Sequence, residues 1–432
     1  MKKCSLFIGL VMLIALCGAA FAQDSESNMD KMQQKIKQLE EQIAAQQAML
    51  EELKSELKSK QTQDTDAVKQ VAKDTIDKEM AHYKGVKDLK IGGDIRVRYE
   101  PTLYDASGKE DRHRYRMRFR FKMSKEFKYG VAGHIQLATG SAKAVNGTDL
   151  GAEPVSTNQT FDRSFEEKPF WVDQAYVTWT PEGQNYFTFG GGKYKNPLTT
   201  TWMVWDSDVN PEGFYETLKY KGDNYGVFLT ATQMMLKENS SKADAFMLGL
   251  QGGFEVKSDM VSAKVAAGYS DYRDYEWNYI YSNGNTVGTL PDGTVGLTAG
   301  DFDIVDVYGE VGFKTKVPIK LQFHYAMNTG NDLTTGDYAD EDQAYMFGGK
   351  IGSAKKQGSF ELGAWWAHIE ANSTVGAFTD SDFGHNNREG IKASFAYQIY
   401  DHLQFGFAWF RTDKIIGEDL WNKFQFDLIF KF

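Results

Sequence analysis

The chain ends in Asn422-Lys-Phe-Gln-Phe-Asp-Leu-Ile-Phe-Lys-Phe432, and this stretch decides the fold. Because successive side chains of an extended strand point to opposite sides, the stretch has two different faces. One face carries Phe424, Phe426, Leu428, Phe430 and Phe432, and the other carries Lys423, Gln425, Asp427 and Lys431, with Ile429 as the exception. The stretch therefore predicts a strand of an all-β transmembrane barrel, which closes its sheet and leaves no edge in lipid.

The same period of two begins near Asp88 and continues to the end of the chain. At about 10 residues per strand, residues 88–432 accommodate about 16 antiparallel strands, and a barrel of that size encloses water. The predicted strands include 127–137 and 175–179. Short connections predict periplasmic turns at 257–259, 316–318 and 400–402, and long polar stretches predict external loops at 141–167, 271–301, 329–342 and 372–388. The last residue, Phe432, resembles the signal that the barrel-assembly machinery reads, so this machinery is an expected partner.

The first 22 residues have the layout of a secretory signal peptide. Lys2 and Lys3 precede an apolar stretch, and Ala20-Phe21-Ala22 forms a small-x-small cleavage site. The alternative is lipid modification of Cys17, which is weakened by Leu16, because a small residue is expected there. Both cysteines lie in this leader, so the mature chain is expected to have no disulfide and no cysteine metal site.

Composition argues against several classes of function. Loss of Lys2 and Lys3 with the leader would change the formal net charge from −10 to −12, which disfavours binding to nucleic acid. No run of about 18 apolar residues follows the leader to predict a transmembrane helix. The aromatic fraction of 14% and the 41 glycines suit a barrel, although a soluble all-β protein could share this composition.

Residues 23–60 predict a helical coiled coil, and the polar residues 61–87 predict a linker to the barrel. The heptad core consists of Met29, Met32, Ile36, Leu39, Ile43, Gln46, Leu50, Leu53 and Leu57. A coiled coil needs a partner, and the simplest partner is another copy of the same chain. The heptads therefore predict a homo-oligomer, with a trimer and a dimer both open. The alternative is a lone amphipathic helix that lies on the barrel or on a membrane.

A ladder of cations follows the polar face of the first two predicted strands. Its members are Arg96, Arg98, Arg114, Arg116, Arg118, Arg120 and Lys122. Neighbouring cations on one sheet face repel each other unless water or acids lie close. This cation ladder therefore predicts a channel-lining wall that attracts anionic or zwitterionic solutes. The alternative, which does not exclude the first, is a structural ladder neutralised by the acids Asp94, Asp306, Glu310, Glu361 and Asp427.

A second constellation combines Gly190-Gly-Gly-Lys-Tyr-Lys-Asn-Pro-Leu198 with Trp202-Met-Val-Trp-Asp-Ser-Asp-Val-Asn-Pro-Glu-Gly213. The glycine triplet predicts the end of a strand, where the backbone bends or approaches a neighbour. We expect the following segment to fold into the lumen and to form a constriction. Its acids Asp206, Asp208 and Glu212 would then face the cation ladder and create a transverse field. The alternative is an external loop packed by its own aromatic side chains.

The order of these features resembles the "putative porin" family of Gram-negative bacteria. The resemblance rests on the leader, the coiled coil, Val172-Asp-Gln-Ala-Tyr-Val-Thr-Trp179, the Gly-Lys-Tyr-Lys-Asn-Pro and Trp-Asp-Ser-Asp segments, and Phe432. It implies a passive, trimeric outer-membrane channel and names no substrate. The cation ladder is also similar, more weakly, to the basic wall of phosphate-selective porins.

The sequence offers no catalytic set. The seven histidines are scattered without the helical spacing of a metal site, and neither a Gly-x-Ser-x-Gly elbow nor a phosphate loop occurs. We therefore expect neither an enzyme nor a bound cofactor or metal.

These observations favour a water-filled outer-membrane porin for passive diffusion of small hydrophilic solutes. Its surface would contact lipid and lipopolysaccharide, and its coiled coil would lie in the periplasm. One alternative is a structural tether that works through the coiled coil. Another is a barrel sleeve around an electron-transferring haem protein.

Overall fold

The computed structural model describes residues 88–432, apart from 106–107, 146–147, 280, 291–292, 301 and 334. For residues 142–145 and 148–151 it describes the backbone alone. Nearer the amino terminus it describes residues 37, 39, 41–43, 45–46 and 48–51. The chain divides into two units, residues 1–87 and 88–432.

Within the described part of the second unit, sixteen antiparallel strands form one continuous sheet. They are β1 Leu89–Tyr104, β2 Arg112–Glu126, β3 Val131–Thr139, β4 Phe170–Trp179, β5 Phe187–Lys193, β6 Glu212–Lys221, β7 Tyr225–Lys237, β8 Ala245–Lys257, β9 Val261–Arg273, β10 Phe302–Phe313, β11 Ile319–Asn328, β12 Gln343–Gly352, β13 Phe360–Ile369, β14 Arg388–Tyr400, β15 Leu403–Lys414 and β16 Trp421–Lys431. Each strand pairs with the next along the chain, as in an up-and-down barrel.

The last strand closes the sheet onto the first. β16 pairs with β1 from Asp94 opposite Lys431 to Tyr104 opposite Trp421. The backbone N–H of Gly93 donates to the carbonyl oxygen of Phe432 at 3.0 Å. Every barrel strand thus has a neighbour on both sides, which removes the free edge that lipid could not solvate. The predicted barrel of about 16 antiparallel strands is confirmed.

Exposure alternates along the strands as the sequence pattern predicts. In β1, Val97 is 51% exposed and Arg98 is 4% exposed. In β16, Leu428 is 47% exposed and Asp427 is 8% exposed. The outward face is therefore apolar and the inward face polar, the reverse of a soluble protein and the arrangement that suits a bilayer around a wet interior.

Two predicted strand boundaries are wrong. The strand expected at 127–137 begins at Val131, because Lys128–Gly130 forms a 3₁₀ turn in which Tyr129 has a positive φ of 65°. The strand expected at 175–179 begins earlier, at Phe170, and a bulge shifts its register beside Gln136. Local alternation misses both features because a bulge and a tight turn interrupt the period of two.

Shorter elements lie in the connections between barrel strands. Ala142–Val145 pairs with Thr148–Ala152, and Val287–Thr289 pairs with Val295–Leu297. Gln159–Thr160 pairs with β2, and Gly376–Phe378 forms a 3₁₀ turn. The predicted turns at 257–259, 316–318 and 400–402 fall at the connections β8–β9, β10–β11 and β14–β15.

In the first unit, the described residues between Lys37 and Glu51 are helical. Leu39, Ile43 and Leu50 of the predicted heptad core lie here, and each is at least half exposed. Gln46 of the predicted core is also described here and is exposed. The predicted core residues Met29, Met32, Ile36, Leu53 and Leu57 lie outside the described residues, as do the predicted leader 1–22 and linker 61–87. No described helix is both long enough and apolar enough to cross a membrane.

Barrel closure predicts the effect of a single methyl group at Gly93. A Cβ at this position would overlap the carbonyl oxygen of Arg120 and approach the ring of Phe432. We expect Gly93→Ala to reduce the heat-modifiable folded band on semi-native electrophoresis to roughly half, because relieving a backbone clash costs about 1–3 kcal/mol. Gly309→Ala is the matched control, since a Cβ there meets no atom within 4 Å. Equal folded fractions for the two variants would contradict the prediction.

Candidate channel constriction

The cation ladder lies on the inner face of β1 and β2. The register places Arg96 opposite Arg118 and Arg98 opposite Arg116. All four side chains are buried, with exposures between 4% and 9%. Cations that face each other across a strand pair destabilise a sheet unless opposite charges intervene.

Carboxylates intervene at each level of the ladder. Asp94 contacts Arg118 at 2.6 Å and Arg120 at 2.8 Å. Asp427 of β16 receives two hydrogen bonds from Arg98, at 2.7 and 2.8 Å. Such bidentate pairs are the strongest ion pairs that side chains form.

Glu100 is a third compensating acid, which the sequence analysis missed. It is fully buried, lies 3.3 Å from Arg98 and 3.4 Å from Arg116, and also pairs with Arg114. Glu100 is two residues after Arg98 on β1, so alternation places both side chains on the same face, and this pattern could have identified it. The acids proposed farther along the chain pair elsewhere: Asp306 with His324, Glu310 with Lys320, and Glu361 with Lys350.

The connection between β5 and β6, residues 194–211, folds into the barrel, and we call it the inner loop. Its Thr199 backbone N–H donates to Gln251 of β8 at 2.7 Å, and Thr201 lies 2.7 Å from His324 of β11. Asp208 lies 3.6 Å from Arg120 of β2. A segment that reaches inward-facing side chains of β2, β8 and β11 must lie within the lumen.

A second connection, residues 370–387 between β13 and β14, also folds inward, and we call it the acidic loop. Its Asp382 contacts Arg98 at 3.4 Å and Lys423 at 3.5 Å. Its Asp380 contacts Lys392 of β14 at 2.8 Å. The polar sequence of 372–388 predicts an external loop, and this prediction is wrong, because the carboxylates pair with cations of the lumen wall.

The two loops pack against each other through aromatic rings. Trp205 stacks on Phe378, with ring centres 4.7 Å apart and planes within 3°. Trp202 packs on Phe383 at 4.8 Å. The Asp206 N–H donates to the carbonyl oxygen of Phe378 at 2.7 Å. Buried ring pairs of this kind contribute about 0.5–1.5 kcal/mol each beyond their burial, so the loops form one packed layer across the lumen.

The three predicted constriction acids occupy different surroundings. Asp206 and Asp208 lie in the inner loop, and Asp208 contacts the ladder. Glu212 lies apart from the ladder at the start of β6, where its exposed carboxylate pairs with Lys193 at 2.8 Å. It shares the parity of Phe214, whose side chain is on the outward face.

The ladder is partly covered on its lumen side. Arg96 donates to Asn158 at 2.5 Å and Arg116 donates to Ser156 at 3.3 Å, so the segment 156–160 screens the buried arginines. Lys122 is exposed, whereas Arg114 and Arg120 keep about a fifth of their side-chain surface. These last three cations are therefore the ladder members that water reaches.

An open cavity of about 480 Å³ lies between the inner loop and the opposite wall. Gln322 of β11, Met346 of β12, Trp365 of β13, and Lys392 and Ser394 of β14 form the wall side. This region was not predicted from the sequence. Each wall residue has the inward parity of its strand, but alternation gives no sign of which strands the inner loop faces.

The electrostatics of the two loops differ. Burial, together with the nearby carboxyl groups of Asp380 and Asp208, raises the pKa of Asp206 well above its usual 3.8. Burial by itself would also raise the pKa of Asp382, but Lys423 and Arg98 outweigh this effect and hold that pKa well below its usual range. Asp206 therefore gains a proton more readily than Asp382.

The family model described as "Putative porin" matches residues 105–286 and 278–432, which together are more than half of the chain. The chain belongs to this family. No curated protein sequence matches the chain significantly.

Solved porin structures align with this chain, and the first of them shows the shared fold. OprB of Pseudomonas putida aligns with a TM-score of 0.54 at 10% identity, over 82% of this chain and 96% of its own. Salmonella typhi OmpF, in a complex with daunomycin, aligns at 0.48 and 11% identity over 80% and 97% of the two chains. A mutant porin of Rhodopseudomonas blastica aligns at 0.42 and 10% identity over 80% and 100%. The family match and the barrel fold together support an outer-membrane porin channel.

The raised pKa of Asp206 predicts a pH-dependent ion selectivity. Acidification protonates Asp206 at a pH above its usual pKa of 3.8, and the lumen then loses a negative charge. In a KCl gradient across a planar bilayer, we expect the reversal potential to shift towards anions with a midpoint above pH 3.8. Asp206→Asn should remove this step, whereas Asp337→Asn, at an exposed loop position, should retain it. An unchanged titration in Asp206→Asn would contradict the assignment.

Proposed function

We propose that this protein is a water-filled porin for small hydrophilic solutes, with a preference for anions, and that its cation ladder and inner loop form the constriction. The observation that carries the proposal is the inner loop, which spans the lumen of a closed barrel between Arg120 and His324. A loop in this position narrows a channel that would otherwise be wide. The solute must then pass charged side chains at close range, where they decide which solutes enter.

The charges on this side of the lumen support the anion preference. Eight cations line it, namely the seven ladder residues and Lys423. Among the described residues, five carboxylates contact these cations, namely Asp94, Glu100, Asp208, Asp382 and Asp427. The excess is positive, and a positive surface within low-dielectric walls concentrates anions. The buried arginines would attract anions through their electrostatic field. Arg114, Arg120 and Lys122, which water reaches, would contact the solute directly.

Selectivity measurements test the ladder. We expect the double variant Arg120→Ala, Lys122→Ala to lower the anion-to-cation permeability ratio roughly twofold or more, because it removes two water-accessible cations. The ratio follows from the reversal potential of single channels in a KCl gradient. Lys128→Ala, which removes an exposed cation of the 3₁₀ turn after β2, is the matched control.

The same recordings test the channel itself. Steady open-channel steps from the parent protein support the porin. Membranes that stay silent would instead favour the tether or the haem-protein sleeve. If the double variant keeps its open-channel steps and its anion-to-cation permeability ratio is unchanged, the channel function is still supported. The cation ladder would then have a structural role only.

We also propose that the porin is a homo-oligomer, in lipid that includes lipopolysaccharide. On β6, Glu216 shares the outward face with Phe214 and Leu218, which are 51% and 47% exposed. It accepts a hydrogen bond from Gln233 of β7 at 3.2 Å. A carboxylate that faces lipid is unfavourable. A second copy of the chain that covers β6 and β7 would remove Glu216 from lipid and so stabilise the assembly.

Chemical cross-linking tests this interface. Ala231 of β7 lies opposite Glu216 in the sheet, and Ala393 lies on β14, seven strands away. In membranes, we expect Ala231→Cys to give covalent multimers with a bifunctional maleimide and Ala393→Cys to stay monomeric, because β6 and β7 would meet the neighbouring copy. Monomers from Ala231→Cys, or equal cross-linking of both variants, would contradict an interface at β6 and β7.

A further inference from the structure

The indole ring of Trp365 lies flat against the inner wall of the barrel. The two positions beneath it are Gly363, two residues earlier on β13, and Gly348, its partner on β12. A Cβ at Gly363 would lie 2.5 Å from Cζ3 of the ring, and a Cβ at Gly348 would lie 2.5 Å from Cδ1. The ring thus occupies the space that side chains at positions 348 and 363 would fill, and it can lie flat because both residues are glycine.

A hydrogen bond fixes the ring in this orientation. The Trp365 Nε1–H donates to Gln322 Oε1 at 3.3 Å. The amide of Gln322 is held in turn, because its Nε2 donates to the Tyr308 hydroxyl at 3.1 Å and to Glu310 at 3.2 Å. The polar edge of the indole is therefore satisfied by the wall, and its free face is apolar.

The free face of Trp365 borders the cavity of about 480 Å³ between the wall and the inner loop. Two other tryptophans line this cavity, but their faces are engaged. Trp202 packs against Phe383, and the ammonium of Lys392 lies over its ring, 4.7 Å from the ring centre. Trp205 is stacked on Phe378 and is 5% exposed. Trp365 is half-buried and offers a flat apolar surface to the cavity.

Polar groups surround this surface. Ser394 and Lys392 of β14 stand beside Trp365, and Asn196, Thr200 and Asp206 of the inner loop lie across the cavity. These groups include hydroxyl, amide, ammonium and carboxyl groups, so they can both donate and accept hydrogen bonds. Ligand-binding sites typically combine an apolar surface with a few polar groups that donate and accept hydrogen bonds, and this cavity has both. Its volume also lies within the range of small-molecule binding sites.

We propose that this cavity is a saccharide-binding subsite on the path through the channel. A pyranose ring has an apolar C–H face, which would stack on Trp365, and a rim of hydroxyl groups, which both donate and accept hydrogen bonds. Aromatic anions could also stack, but the two cations of the cavity, Lys195 and Lys392, share it with the carboxyl groups of Asp206 and Asp380, so the lining offers an anion no excess of positive charge to bind. This inference rests on the proposed channel function and names one class of solute for it.

Binding in a channel must be weak, because a solute that stays blocks the next one. Trp365 meets this requirement, since it supplies one stacking surface and leaves the hydroxyl contacts to groups that also bond to water. The subsite would raise the local concentration of sugar at the constriction, and the sugar would still leave with little delay.

Current block by maltose tests the proposal. In planar bilayers with KCl, maltose that enters the cavity should interrupt the ionic current of the parent channel. We expect Trp365→Ala to weaken the apparent affinity for maltose roughly tenfold, which corresponds to about 1.4 kcal/mol of binding free energy, because the stacking surface is lost. The matched control is Trp366→Ala on the same strand, because Trp366 has the opposite parity and packs with Tyr345 and Phe347. This control should keep the parental maltose block.

A second variant tests the orientation of the ring with the tryptophan retained. Gly363→Val places side-chain atoms beneath the indole and should lift it from the wall. We expect the maltose block to weaken in this variant, with open-channel steps and the heat-modifiable band intact. Maltose block that is unchanged in both Trp365→Ala and Gly363→Val would overturn the subsite.

Other outcomes are also decisive. Open-channel steps without maltose block in the parent would overturn the saccharide inference and leave the proposed channel function standing. Stronger block by benzoate than by maltose would overturn the assignment to saccharides. The absence of any open-channel steps would overturn the channel function, and the inference that rests on it.

Discussion

The pairing of β16 with β1 is the constraint on which the rest of the structure depends. In lipid, an unpaired backbone N–H or C=O costs several kcal/mol, so a sheet can cross a membrane only when it has no edge. Closure also fixes which face of each strand is inside. In β16, for example, Phe426 and Phe430 face outward while Lys423 and Asp427 face inward. The inward polar faces create the wet interior that makes a channel possible.

The charged interior depends in turn on pairing within it. Buried arginines in register across β1 and β2 would repel each other, and Asp94, Glu100 and Asp427 reduce this repulsion from the same inner face. The acidic loop supplies a further carboxylate, that of Asp382, from far along the chain. One set of ion pairs thus joins the first strands, the last strand and a loop, so the charges that would attract a solute also hold that loop inside the barrel.

Much of the fold could be predicted because alternation is a local property. A stretch such as 424–432 shows its two faces without reference to any other residue, and the number of strands follows from strand length. The errors lie where the backbone departs from regular alternation. They are at Tyr129, whose positive φ delays the start of β3, and at the bulge within β4. The candidate site was less predictable. The ladder and the inner loop were identified, but Glu100, the acidic loop and the Trp365 cavity were missed.

The sequence by itself determined the class of protein: a period of two, an aromatic last strand and a polar inner face indicate a closed membrane barrel, because each strand carries this information in its own residues. Tertiary structure alone decided which residues meet in the lumen. Asp208 contacts Arg120 while Glu212, four residues later, pairs with Lys193. Gln322 of β11 and Trp365 of β13 border the same cavity as Asp206 of the inner loop. Contacts of this kind depend on how strands and loops distant in sequence are placed around the barrel, and no local pattern records that placement.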